Sequence, residues 1–159
     1  MMLHSFASPP DQRYFEDYTP GAVHELGAIS IGEEEIIEFA TRFDPQYFHI
    51  DPEKASASQF GGIIASGWHT ISLVMRLYVD RYLSNVASLA SPGVDEVRWP
   101  NPVRPGDILK VRVTILDTRV SRSKPDRGIV RARLEALNQK DELVLSMTAV
   151  SILRRRERA

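Results

Sequence analysis

The chain alternates between two hydrophobic periods. From Glu33 to Phe43, "EEEIIEFATRF" opens with three acids, which a helix dipole favours in its first turn, and sets Ile36, Ile37, Ala40 and Phe43 at helical spacing. A helix is predicted here, with Pro45 just past its end, so that Asp44 to His49 enter irregular backbone. "DPEKASA" then starts with Asp51 as a candidate N-cap and Pro52 at the first helical position, which predicts a short helix. From His69 to Ser84 the polar residues His69, Ser72, Arg76, Asp80 and Ser84 fall three or four apart, in one narrow stripe. Arg81 is the one charge outside it, and the other faces carry Trp, Ile, Leu, Val, Met and Tyr. A helix that apolar over most of its circumference must be surrounded by other elements.

Elsewhere the period is two. Residues 1–19 read as an extended arm anchored by Tyr14, Phe15 and Tyr18, and "TPGAVHELGAISIG" reads as a strand bounded by glycines. Three long alternating segments follow the apolar helix, led by Leu109 to Ile115, Val130 to Ala136 and Leu143 to Ala149, with "NQKDE" as the turn between the last two. Half-buried antiparallel strands are expected. The sum is an α+β domain in which a curved antiparallel sheet wraps around a long buried central helix. The boundaries are an N-terminal arm at 1–21, the domain at 22–153 and a solvated basic tail at 154–159. Open sheet edges make a homodimer or higher homo-oligomer the expected state.

Composition narrows the function classes. A chain of 159 residues buries a sizeable core as one domain. Lys plus Arg number 20 against 21 Asp plus Glu, so no global charge draws the protein to nucleic acid or an anionic membrane. The absence of cysteine excludes thiol nucleophiles and disulfides and fits a reducing cytoplasm. The first twenty residues hold no apolar core like that of a signal peptide, and the apolar stretch from Ile63 to Leu83 is broken by His69, Arg76, Asp80 and Arg81. A soluble cytoplasmic protein is expected.

Candidate chemistry gathers in "RFDPQYFHIDPEKASASQFGGIIASGWHT", from Arg42 to Thr70. Asp44 and His49 supply a carboxylate and an imidazole; the same residues also suit a turn-forming acid and a hydrogen-bonded structural histidine. Gly61-Gly62 allows a tight turn. Trp68, Met75 and Tyr78 fit either core or pocket lining, and in "VRWPNPVRPGD" Arg98 and Arg104 are solvated by default but suited to phosphates.

Together, "FDPQYFHIDPEKA…FGGIIASGWHT" and "VRWPNPVRPGD" resemble the MaoC-like dehydratase group of the hot-dog superfamily, which includes the (R)-specific enoyl-CoA hydratases. The resemblance covers roughly residues 22–153 and implies a hot-dog fold, dimeric or built from pairs. It implies reversible hydration of a 2-enoyl thioester on coenzyme A or acyl carrier protein, within fatty acid metabolism, with no metal or redox cofactor. By this resemblance Asp44 activates water, and His49, five positions on, positions water and delivers a proton. Gly67, at the positive end of the buried helix, offers a backbone N–H to the thioester oxygen, with Ile63 and Ser66 as further candidates and His69 and Trp68 as pocket lining.

The chain departs from the family's Asp-x-Asn-Pro-x-His pattern. Asp44-Pro45 stands at the Asn-Pro place, Arg42 where the acid would be, and one extra residue precedes His49. Two alignments follow: Asp44 has taken over the acid's role, or the acid is missing. Asp51 is a fallback acid. Hydrolysis of an acyl-CoA thioester and non-catalytic thioester binding are the alternative functions.

Overall fold

The structure is a computed structural model that describes residues 1–157; Arg158 and Ala159, the end of the predicted tail, lie outside the described residues. The acid-led segment forms α1 (Glu33–Phe43), its N-terminus closed by the Gly32 N–H donating to Glu35 Oε1 at 2.6 Å. Ile36 and Ala40 are fully buried, but Phe43, predicted on the same face, is 60% exposed. It is the helix's last residue, and its ring lies beneath the Arg42 guanidinium at 4.8 Å rather than in the core.

The stretch expected to be irregular contains one more helical turn, α2 (Tyr47–Ile50), followed by α3 (Pro52–Ser56). Asp51 caps α3, its Oδ1 accepting the Lys54 N–H at 3.1 Å.

Five antiparallel strands make one sheet: β1 (Val23–Ser30), β2 (Ser88–Arg98), β3 (Ile108–Val120), β4 (Arg127–Leu137) and β5 (Leu143–Arg154), in the order β1-β3-β4-β5-β2. Four lie where alternation predicts them. β2 does not alternate: "SLASPGVDEVR" holds Pro92 and Gly93, and almost every side chain is exposed. It forms because its backbone pairs with β5, with three register shifts on the way, and Pro92 is tolerated because this is an edge strand.

The sheet curves over α4 (Gly67–Arg81), whose buried side chains Thr70, Val74 and Tyr78 meet a core that includes Val111, Val113, Val130, Leu134 and Met147. Burial of α4 is one-sided within a single chain. Trp68, Met75 and Val79, spaced seven and four apart on one helical face, are 61%, 43% and 41% exposed. The predicted polar stripe also divides: His69 and Ser84 are buried, whereas Arg76 and Asp80 form an exposed pair at 2.9 Å. No described helix is long and apolar enough to cross a membrane.

The arm secures the far end of α4. Arg13 is buried, its guanidinium 3.6 Å from the Phe6 ring centroid, and Nη1 donates to the carbonyls of Arg81 and Tyr82 at 3.0 and 2.8 Å. Its Nε and Nη2 donate to Ser8 O at 3.2 and 2.9 Å, so this buried cation has acceptors on every nitrogen. The described start of the basic tail is largely exposed and also ion-paired: Arg156 meets Asp17 at 2.8 Å and Arg155 meets Glu16 at 3.4 Å.

Candidate active site

Three backbone segments converge where α1 ends. Asp44 is the residue after α1, its N–H donating to Ala40 O at 2.8 Å, and the chain reverses through Gln46 into α2. His49, on α2, is buried. Its Nδ1 lies 2.7 Å from Ile64 O, and because a carbonyl only accepts, Nδ1 carries the proton. Nε2 is thereby turned to Asp44, 3.3 Å from Oδ2. Ile64 is fixed in return, donating its N–H to Phe48 O at 3.1 Å, while Ala65 donates to Val103 O at 2.8 Å. The segment leading into α4 is therefore stitched on one side to α2 and on the other to the loop after β2.

The Asp44 carboxylate is held on both oxygens. Buried Ser66 donates its hydroxyl to Oδ2 at 2.7 Å, and Gln46 Nε2 donates to Oδ1 at 2.8 Å. Burial pushes this carboxyl up, but the hydrogen bonds from Ser66 and Gln46 and the charge of His49 outweigh it, leaving Asp44 below its ordinary value.

Ser66 stands at the cap of α4, yet its side chain makes no capping bond, being committed to Asp44. The first-turn amides of α4 have no intrahelical acceptor, and the positive helix end faces the same space. Trp99 lies across Gly67, its indole N–H donating to Gly67 O at 3.1 Å, and a Cβ on Gly67 would run into the ring. Trp68 meets Trp99 edge to face at 5.8 Å.

Asp44, His49, Gly67 and Trp68 all line one cavity of about 460 Å³, together with Gln46, Phe60, Thr70, Trp99 and Asn101. Three other candidates lie outside the lining. Ser66 sits behind it as the carboxylate's partner, and Ile63 is packed in the core. His69, at about 100° per residue, is turned roughly 200° from Gly67 and faces α1 instead. It stacks on Phe39 at 4.6 Å, its Nδ1 has no partner, and burial pushes its pKa down against the opposing charge of Glu35. Asp51 is occupied as a cap, Arg42 lies over Phe43, and Arg98 and Arg104 are exposed residues outside the lining.

Gln46 and Trp99 were not singled out from the sequence. Of the two alignments, the one that gives Asp44 the acid's role puts Gln46, two after it, at the Asn place and Tyr47 at the Pro place, and the Asp44–His49 contact favours it. Among the described residues, no three His, Asp or Glu side chains converge as metal ligands would.

The family described as MaoC like domain matches residues 15–136. A 3-hydroxyacyl-thioester dehydratase of Mycobacterium tuberculosis is 40% identical over 88 residues, which are 54% of this chain and 57% of that protein. The match thus spans little more than half of that relative's length. A solved MaoC-like dehydratase from Rhodospirillum rubrum is 40% identical, with a TM-score of 0.85 over 92% of this chain and 99% of that one. An R-hydratase from Pseudomonas aeruginosa is 26% identical, with a TM-score of 0.72 over 91% of this chain and 86% of its own.

Proposed function

The chain belongs to the MaoC like domain family and has its hot-dog fold, and from that premise we propose that it is a hydro-lyase, reversibly adding water to a 2-enoyl thioester to give a 3-hydroxyacyl thioester. The observation that carries this reading is the 3.3 Å contact of Asp44 with His49 in a cavity that also holds the N-terminus of α4.

Hydration needs a base for water, an acid for the α-carbon, and donors for the enolate-like oxygen formed between them. Asp44, kept ionised by Ser66 and Gln46, takes a proton from water as the water oxygen bonds to the β-carbon. The double-bond electrons move toward the thioester carbonyl, whose oxygen accepts from the Gly67 N–H at the positive end of α4. His49, as imidazolium, gives the Nε2 proton to the α-carbon. The proton on Asp44 then crosses to Nε2, which restores the starting state, and dehydration runs the same steps backward. Side chains and backbone alone carry this step, and coenzyme A enters as the substrate's carrier.

A homodimer is the proposed state, the exposed Trp68, Met75 and Val79 face of α4 being covered by a second copy. Incubation with crotonyl-CoA tests the activity: loss of enoyl absorbance is the expected result. Release of free thiol would replace the reading with thioester hydrolysis, and binding with neither change would leave a thioester-binding protein. Crotonyl-acyl carrier protein assayed alongside distinguishes the carrier.

A further inference from the structure

Gln46 is bonded to both members of the acid-histidine pair. Its backbone N–H donates to Asp44 O at 2.8 Å, its carbonyl accepts the His49 N–H at 2.9 Å, and its side-chain Nε2 donates to Asp44 Oδ1 at 2.8 Å. A carboxylate only accepts, so the amide must present its N–H to Asp44 and turn Oε1 away. The two Asp44 oxygens are served unequally: Oδ2 has the Ser66 hydroxyl and the nearby His49 ring, while Oδ1 has Gln46. Without Gln46 the carboxylate could rotate about its last bond while keeping Ser66.

We propose that Gln46 is a positioning residue for hydration, its side-chain N–H locking the plane of the Asp44 carboxylate toward the water it activates. This rests on the hydration reading above. A donor to Oδ1 also favours the charged form of Asp44, and Gln46 counts among the groups that hold the carboxyl below its ordinary value. Among the described residues, His49 is the titratable group in ion-pair contact with Asp44. Arg42 turns over the Phe43 ring, and Asp51 is 3.7 Å from Lys54.

The backbone bonds of Gln46 survive any side-chain change, so substitution isolates the amide. Gln46→Met keeps the shape and removes the donor; Gln46→Glu keeps the shape and sets a second carboxylate beside Asp44. Gln46→Met is expected to lower kcat/KM on crotonyl-CoA on the order of tenfold to a hundredfold, the range for a hydrogen bond to a charged group. The acidic limb of its pH profile should move to higher pH, and further still in Gln46→Glu. Melting temperature at neutral pH should stay near wild type for Gln46→Met. Carbon-13 NMR titration of the Asp44 carboxyl gives a readout independent of turnover, with an upward displacement expected in both variants and the larger one in Gln46→Glu. If wild type hydrates nothing, the hydration reading fails. If wild type hydrates and Gln46→Met leaves rate or acidic limb unchanged, or the NMR titration does not move, the role of Gln46 is overturned.

Discussion

Ser66 and Asp44, 22 positions apart, are joined by a 2.7 Å hydrogen bond from a fully buried hydroxyl to a carboxylate on the cavity wall. The bond ties the start of α4 to the end of α1, so the proposed base and the proposed oxyanion donors share one fixed frame. Ser66→Ala leaves Oδ2 with His49 alone. The expected result is a fall in kcat/KM of roughly tenfold or more, an acidic limb displaced to higher pH, and a loss of about 1–3 kcal/mol in urea unfolding, as for an orphaned buried partner.

His49→Ala and Asp44→Asn should each cut hydration by about 10² to 10⁴, the range of a single positioned acid or base. Circular dichroism should report an intact fold for both. Full activity in Asp44→Asn would assign the base elsewhere, and the already committed Asp51 would be the next residue to test.

Gly67→Ala directs a methyl group into the Trp99 indole. The ring must swing off the start of α4, giving up its bond to Gly67 O. Lower melting temperature and lower activity are expected together. Trp99→Ala in the same chain should recover the melting temperature, the two changes being strongly non-additive because the residues touch. Additive losses would mean that Gly67 is required for another reason.

How much of this was legible depended on where the information lay. α1, the Asp51 cap and four strands are written in local periodicity and capping chemistry, whereas Asp44 and His49 stood out as a candidate pair only through the family resemblance. β2 was invisible because an edge strand held by backbone pairing needs no apolar alternation. Trp99 was invisible because its partner, Gly67, is 32 residues away and a glycine advertises nothing about what lies over it. His69, expected as pocket lining, is instead buried as a flat partner for Phe39, because its place two positions along the helix from Gly67 turns it toward α1.

Acid should destabilise the protein through its buried histidines. Burial depresses the pKa of His69, and of His24 despite its hydrogen bond with His4 O. The unfolded chain then binds protons first, so stability is full above the ordinary histidine value of about 6.5 and falls as pH drops below it toward the folded values. Urea midpoints measured across this window should decline on acidification. His69→Phe should flatten part of the slope, leaving the His24 share, and raise stability by on the order of 1 kcal/mol by removing the unpartnered Nδ1. A slope unchanged in His69→Phe would place the acid sensitivity elsewhere.

Met75→Asp or Val79→Asp puts a charge on the exposed face of α4. Wild type should sediment as a dimer and either variant as a folded monomer, since an isolated carboxylate in an apolar contact is costly. A wild-type monomer would show that this face meets solvent in the native protein.

Trp99 holds the first turn of α4 and Arg13 holds its last carbonyls, so the central helix is pinned at both ends before any substrate arrives. On the hydration reading proposed above, its dipole and amide donors need no reorganisation when charge develops on the thioester oxygen, which is the condition under which such groups accelerate a reaction most. On that reading the arm, remote from the cavity, is expected to act on rate rather than on recognition. Loosening Arg13 should register in turnover while leaving substrate affinity nearly as it was.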